Sequence, residues 1–309
     1  MAELIGFILT IDAIFTWALA SLVYKWGLEK TPAKGNLFFR LCCTSLGTFL
    51  FSLAFGNYIF LRNLNEQELI GYLIACVISG LSVTIGDLCY YMSLKRIDAS
   101  RAYPLVQLSL LFVYPFSFIF FDEVITFSIL IGGLLILSSV FILSSKDKPE
   151  NINSINEDKP PENLILGVIL AIGTAFFWAL AIISYNQARI ITGDVFVTNF
   201  FRVSFATITI GLLGIFQKEY YDGFKKENRE NLKYFIYIGL GGVLSLGFAD
   251  TLFYKAAEIN GLVLTATFTV NTPMIQQIFS ILILKEKFRK RFILAVFLII
   301  AGNYIILFL

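Results

Sequence analysis

The chain has 309 residues, 57% of them hydrophobic and only 15% charged, and a mean hydropathy of +0.78. A soluble chain of that length carries far more surface charge, and a net charge of +2 gives no reason to expect a nucleic-acid partner. With no histidine anywhere, imidazole metal sites, Ser-His triads and the usual neutral-pH proton relay are excluded, and no cofactor is expected.

A bilayer span needs about 20 mostly apolar residues. Ten such runs follow one another: 4–27, 36–60, 69–93, 99–121, 125–145, 164–187, 195–216, 233–256, 261–284 and 290–309. The first holds Asp12 and Trp17; it lacks the basic start and small-residue cleavage site of a signal peptide and reads as a span. The second opens on "LFFR" with Arg40, and the third closes on "GDLCYYMSLKRI" with Asp87 and Tyr91. The fourth carries Tyr103, Pro104, Gln107 and Tyr114–Pro115, and the fifth carries Gly132 and Gly133. A polar stretch, "KDKPENINSINEDKPPEN" (146–163), then divides the chain. The sixth run holds Trp178, the seventh Arg202, and the eighth Asp250, Tyr254 and Lys255. The ninth is dense in Thr267, Thr269, Asn271, Thr272, Pro273, Gln276 and Gln277, and the tenth contains Gly302. Cys42, Cys43, Cys76 and Cys89 lie in apolar runs without metal-type spacing and read as packing residues.

Residues 1–145 and 164–309 resemble each other. "FTWALASLVY" (15–24) answers "FFWALAIISY" (176–185), "LFFR" (37–40) answers "NFFR" (199–202), "GDLCYYMSLKRI" (86–97) answers "ADTLFYKAAEIN" (249–260), and "FDE" (121–123) answers "LKE" (284–286). Order is kept and the offset stays at about 162 residues. Five spans is an odd number, so the second half must cross the membrane in the opposite sense. The expected fold is an all-α membrane protein of ten transmembrane helices in two inverted-topology five-helix repeats. Alternating the connections leaves only Arg62 and Arg189 on one side and the remaining Lys and Arg clusters on the other. The positive-inside rule makes the rich side cytoplasmic and places both termini outside.

A carboxylate at the centre of a spanning helix costs about 2.5–3.5 kcal/mol. Asp87 stands about 27 Å along the third helix, near its cytoplasmic end, and Arg40 lies at matching depth. The repeat puts Asp250 and Arg202 in the same relation near the outer end. Two pairs, Arg40–Asp87 and Arg202–Asp250, are therefore expected, either as staples that neutralise each other or as gates that break and re-form. Asp12 has Gly173 as its counterpart. Read as desolvated, it is the candidate for proton coupling, with a cap from Thr16 or another hydroxyl as the alternative. Asn271 and Gln276, beside Pro273, read as cavity residues or as interhelical hydrogen-bonding groups. Trp17 and Trp178, at matching mid-depth positions, line a cavity or pack. Lys255 meets a substrate carboxylate or snorkels to water. Gly132, Gly133 and Gly302 permit close backbone contact, including contact between protomers.

These motifs together resemble the EamA family of the drug/metabolite transporter superfamily. They include the two WAL-type first helices, the "FFR" openings, "GDLCYYMSLKRIDASRAYP" (86–104) and "NTPMIQQIFSILILKEK" (271–287). The resemblance implies a ten-helix basket working by alternating access, with a central cavity lined by helices 1, 3, 4, 6, 8 and 9. It implies small metabolites such as amino acids as substrates, with proton or exchange coupling. Carried onto this chain, the cavity residues are Trp17, Tyr91, Gln107, Trp178, Tyr254, Asn271 and Gln276. Many relatives end in a basic tail, whereas this chain ends in "IILFL" with its basic "KEKFRKR" before the last helix. The reading is a secondary transporter in the plasma membrane, exporting a small metabolite. The alternative is a lipid-handling or scaffolding protein of the same fold. An enzyme is not expected, and without a Walker motif ATP is not the direct energy source.

Overall fold

The computed structural model describes residues 2–28, 31–94, 96, 102, 105–144, 164–225, 230–283 and 291–309. The linker 146–163, Tyr103, Pro104 and the basic run from Lys285 to Lys290 fall outside the described residues, as does the side chain of Tyr91. Every regular element among the described residues is helical. In chain order these are α1 (Ala2–Leu28), α2 (Ala33–Phe55), the short α3 (Phe60–Asn63), α4 (Glu66–Leu94), α5 (Ser109–Phe121) and α6 (Phe127–Ser144). There follow α7 (Leu164–Thr192), α8 (Val195–Phe216), a 3₁₀ segment (Lys218–Phe224) and α9 (Leu232–Gly242). A π-helical segment (Val243–Ala249) runs from α9 into α10 (Asp250–Asn260), followed by α11 (Leu262–Thr269), α12 (Thr272–Ile283) and α13 (Arg291–Phe308).

Among the described residues seven helices are long and apolar enough to cross a bilayer, counting Leu232–Asn260 as one; Ser109–Phe121 and Phe127–Ile142 are shorter apolar helices. Their outward faces are hydrocarbon: Phe216, Phe127, Ile165 and Phe297 are each at least two-thirds exposed. Such a surface suits lipid, not water.

Two long antiparallel pairs organise the core. Along α4 and α7, Ser79 donates to the Ala181 carbonyl, Thr174 to that of Gly86 and Ser93 to that of Gly167. The second pair is α1 against α9–α10, marked by Gly27 against Ile238 and Trp17 against Phe253. Thus the third long helix of each half lies along the first long helix of the other half. Between them α2 and α8 meet through Ser45 and Ser204 at 3.1 Å and through Thr207 donating to Leu41 O at 3.1 Å. α1 and the α11–α12 segment run in the same direction, with Phe7 on Phe268 and Phe15 on Phe279.

Proline chemistry sets the interruption between α11 and α12. Pro273 donates no backbone hydrogen bond and crowds the carbonyl four residues back. The exposed carbonyls are taken locally: Asn271 Nδ2 donates to Phe268 O at 2.8 Å and Thr272 Oγ1 to Thr269 O at 2.6 Å. Pro115, by contrast, sits inside an unbroken α5. Gly132 and Gly302 meet within the molecule, each lying where a Cβ would strike the other's carbonyl. They bring α6 and α13 together within one chain; no second protomer is involved in that contact.

Candidate functional site

At the heart of the bundle α2 and α8 each supply an arginine. Arg40 Nη2 pairs with Asp87 Oδ2, and Arg202 Nη2 pairs with Asp250 Oδ2 at 2.7 Å. The four residues are at most 9% exposed. The second oxygen of each acid accepts an indole N–H from the opposite half. Trp178 Nε1 donates to Asp87 Oδ1 at 3.2 Å, and Trp17 Nε1 donates to Asp250 Oδ1 at 3.0 Å. The antiparallel pairing of α4 with α7, and of α1 with α9–α10, is what carries each tryptophan across. A tyrosine ring then covers each guanidinium: Tyr24 at 5.6 Å from Arg40 and Tyr185 at 5.2 Å from Arg202. Tyr254 lies 5.9 Å from Arg202 and stacks on Tyr185 at 3.5 Å. Two related centres result, each holding an ion pair, an indole donor and a cation–π lid.

A Cβ on Gly80 would stand 2.5 Å from the Arg202 carbonyl, so α4 passes the α8 backbone at Arg202 and reaches the Arg40–Asp87 pair seven residues, about 10 Å, further along.

The two centres differ in one covalent detail. Gly80 faces Arg202 and Gly242 faces Arg40, an offset of 162 residues, yet Asp87 and Asp250 are 163 apart. One residue has been inserted between Gly242 and Asp250, and there the helix runs as π. A π-bulge is what a single-residue insertion makes of an α-helix. It loosens the backbone ladder, and Asn199 answers it. Its Nδ2 donates to Leu246 O at 2.7 Å, Gly247 O at 3.0 Å and Thr251 Oγ1 at 3.0 Å. In the first half the corresponding residue is Leu37, and α4 is α-helical throughout. Asn199 was not among the sequence candidates; the single difference between "LFFR" and "NFFR", with the step in offset, was its signal. Glu123 was also missed as a site residue. Its two oxygens accept the N–H groups of Leu262 and Val263, each at 2.8 Å, and cap the start of α11.

Of the sequence candidates, Trp17, Trp178, Tyr254, Arg40, Asp87, Arg202 and Asp250 come together. Asp12 does not. It is exposed on the outward stripe of α1 with Ile8, Ile11 and Phe15, away from the two centres. Asn271 is 7% exposed and is occupied by Asn303 at 3.1 Å, an interhelical contact of α11–α12 with α13. Gln107, in the turn before α5, and Gln276, on α12, are half-buried and have no hydrogen-bond partner among the described residues. Lys255 bonds Glu258 at 2.8 Å on its own helix.

The model of the EamA-like transporter family matches residues 4–145 and 165–308. A protein of Archaeoglobus fulgidus named as an uncharacterized transporter is 24% identical over 303 residues, covering 97% of each chain. A probable 4-amino-4-deoxy-L-arabinose-phosphoundecaprenol flippase subunit ArnF of Yersinia enterocolitica is 28% identical over 138 residues, 44% of this chain and 91% of that one. A solved crystal structure superposes with a TM-score of 0.71 at 16% identity, covering 98% of this chain and 95% of that chain, a likeness of fold. With its apolar helices and two matched segments, the chain is a multi-pass membrane protein and belongs to the EamA-like transporter family.

Proposed function

We propose that this chain is a secondary transporter of ten membrane spans in two inverted five-helix repeats, residues 1–145 and 164–309 joined by a polar linker. It exports a small metabolite such as an amino acid across the plasma membrane by alternating access. The observation that carries the reading is the cross-wiring of the centre: each half's indole bonds the ion pair of the other half. A rigid displacement of one half against the other must therefore alter both centres together. A purely structural staple would need only its own half's partners. The antiparallel course of α4 with α7 and of α1 with α9–α10, and the shared direction of α1 with α11–α12, agree with alternating passage of ten spans.

Proton coupling in this reading falls on Asp87 and Asp250, because protonating either acid removes the charge that holds its arginine. Asp12, on the outward face, has no such partner. The test is flux in proteoliposomes with an imposed pH gradient, for wild type and for the charge-reversed pair Arg40→Asp/Asp87→Arg. Uptake of a water-soluble metabolite by wild type and its loss in an assembled swap support the reading. Unaltered uptake by the swap reduces the pair to a staple.

The similarity to the flippase subunits favours one second reading, movement of a lipid-linked solute. Scrambling of labelled lipid without flux of any soluble compound would select it.

A further inference from the structure

Two basic residues stand on the side that is otherwise poor in positive charge, and they differ. Arg62 is exposed, as a charge outside a membrane normally is. Arg189, in the last turn of α7, is only 8% exposed. Its Nε and Nη2 both donate to one acceptor, the Asn186 side-chain oxygen, at 3.1 and 2.6 Å. Among the described residues it forms no direct ion pair, and the two carboxylates near enough to act on it make their direct bonds elsewhere. Glu258 holds Lys255 at 2.8 Å, and Glu123 holds the two backbone N–H groups that start α11. A buried guanidinium whose only direct hydrogen-bond partner among the described residues is a neutral amide oxygen keeps donors free for an anion.

Three of its five N–H donors remain, both on Nη1 and one on Nη2. That fork matches the two oxygens of a carboxylate or phosphate. Asn186 fixes the guanidinium through Nε and Nη2 and leaves Nη1 without a partner among the described residues. Tyr185 lies one turn before Arg189 on α7, and beyond it are Tyr254 and the Arg202–Asp250 pair. The counterpart of Arg189 in the first half, at the Tyr24–Tyr185 offset, is Leu28. The charge is thus present on one side only.

We propose that Arg189 is an anion-binding site that takes the carboxylate or phosphate group of the solute at the basic-poor mouth, outside the Tyr185–Tyr254 stack. This rests on the transporter reading for its role. As a binding site it stands on the geometry alone. No Arg189 nitrogen is among the sealed, unbonded polar atoms, so the free Nη1 donors reach the surface, where an anion can meet them.

The experiment uses the full chain in phosphatidylcholine nanodiscs, with thermal unfolding followed against inorganic phosphate and acetate at constant ionic strength. Wild type should gain stability saturably with at least one of these anions relative to chloride. Arg189→Gln should lose the gain. Arg189→Lys, which keeps charge but not the fork, should need at least about tenfold more anion, a difference of about 1.4 kcal/mol; it also serves if the glutamine variant fails to fold. Nanodiscs with phosphatidylglycerol form the second arm: an Arg189-dependent gain only there assigns the site to a lipid headgroup. Equal gains in wild type and both variants, or no gain with soluble anion or anionic lipid, overturn the site. Proteoliposome flux separates it from the transport reading. A carboxylate-bearing solute taken up with the same KM by wild type and Arg189→Gln sinks the site and leaves the transporter. Arg189-dependent stabilisation without flux of any solute leaves the site and sinks the transporter.

Discussion

Replacing Asn199 by leucine, the residue its own repeat partner carries at Leu37, should destabilise the protein only because a residue is inserted in the neighbouring helix. The cost can be assembled from the contacts. Leu246 O loses its amide donor, while Gly247 O keeps Thr251 Oγ1 at 2.7 Å and Thr251 loses one partner. A half-buried carbonyl that loses an amide donor costs about 1–3 kcal/mol at most. The other two contacts, valued as interhelical bonds inside a membrane, add about 0.6 kcal/mol each. Leucine recovers part of this by apolar packing, so Asn199→Leu should cost about 2 kcal/mol. Deleting Leu244 returns the stretch from Gly242 to the aspartate to the spacing of Gly80 to Asp87 and closes the ladder as an ordinary α-helix. In that background Asn199→Leu should cost less than about 0.5 kcal/mol. The assay is reversible unfolding in mixed micelles for the four chains of the cycle. A cost for Asn199→Leu that is the same with and without the deletion, or no cost in either, would refute the link between the amide and the π segment.

Other consequences follow from the same geometry. Gly80→Ala forces a Cβ to 2.5 Å from a backbone oxygen and should cost about 1–3 kcal/mol, whereas Gly173→Ala, with no neighbour within 4 Å, should be neutral; thermal unfolding of the two reads the contrast. Asp250→Asn leaves Arg202 buried with a neutral partner and should cost about 3–5 kcal/mol; pairing it with Arg202→Met should restore much of the stability but not the flux, and restored flux would make the pair a staple. Trp17→Phe and Trp178→Phe keep a ring but remove the N–H, so each should lower flux while costing about 1.5–3 kcal/mol or less in stability. Single cysteines at Lys34 and Thr192 should label from opposite sides of the membrane, and labelling from one side would remove the inverted relation.

Much of the centre was legible because charge is expensive in oil. A carboxylate and an arginine in apolar runs, repeated at a fixed offset, leave few arrangements other than Arg40 with Asp87 and Arg202 with Asp250. Three things were not legible. The indole donors come from the opposite half, and a repeat alignment compares halves without saying how they interlock. Helix ends were not legible because hydropathy marks where a run begins, not how far a 29-residue helix overruns it. The settings of Asn271 and Asp12 were open for a common reason: a polar residue in an apolar run is equally visible whether it faces a cavity, a neighbouring helix or the outside. Only the position of Asn303 and the outward stripe of α1 distinguish these cases. The π segment was written in the sequence as a change of offset by one, a signal smaller than the tolerance used to recognise the repeat.

That one-residue difference bears on the working cycle. In the alternating-access reading the two halves exchange conformations, and identical halves would make the inward and outward states mirror images of equal energy. Here α9 and α10 are joined by a π turn held by Asn199 on α8, and the first half has neither. Any motion that slides the eighth span along α8 must disturb the contacts of the Asn199 amide, which its counterpart motion does not meet. A difference of about 1.4 kcal/mol between two states is a tenfold difference in their populations, and the Asn199 contacts are of that size. The resting protein should therefore favour one side, and Asn199→Leu should move it toward even occupancy. Cysteine accessibility at the mouth beside Tyr24 and at that beside Tyr185 measures the balance; an unchanged ratio would mean the π turn moves rigidly with its neighbours and takes no part in the exchange.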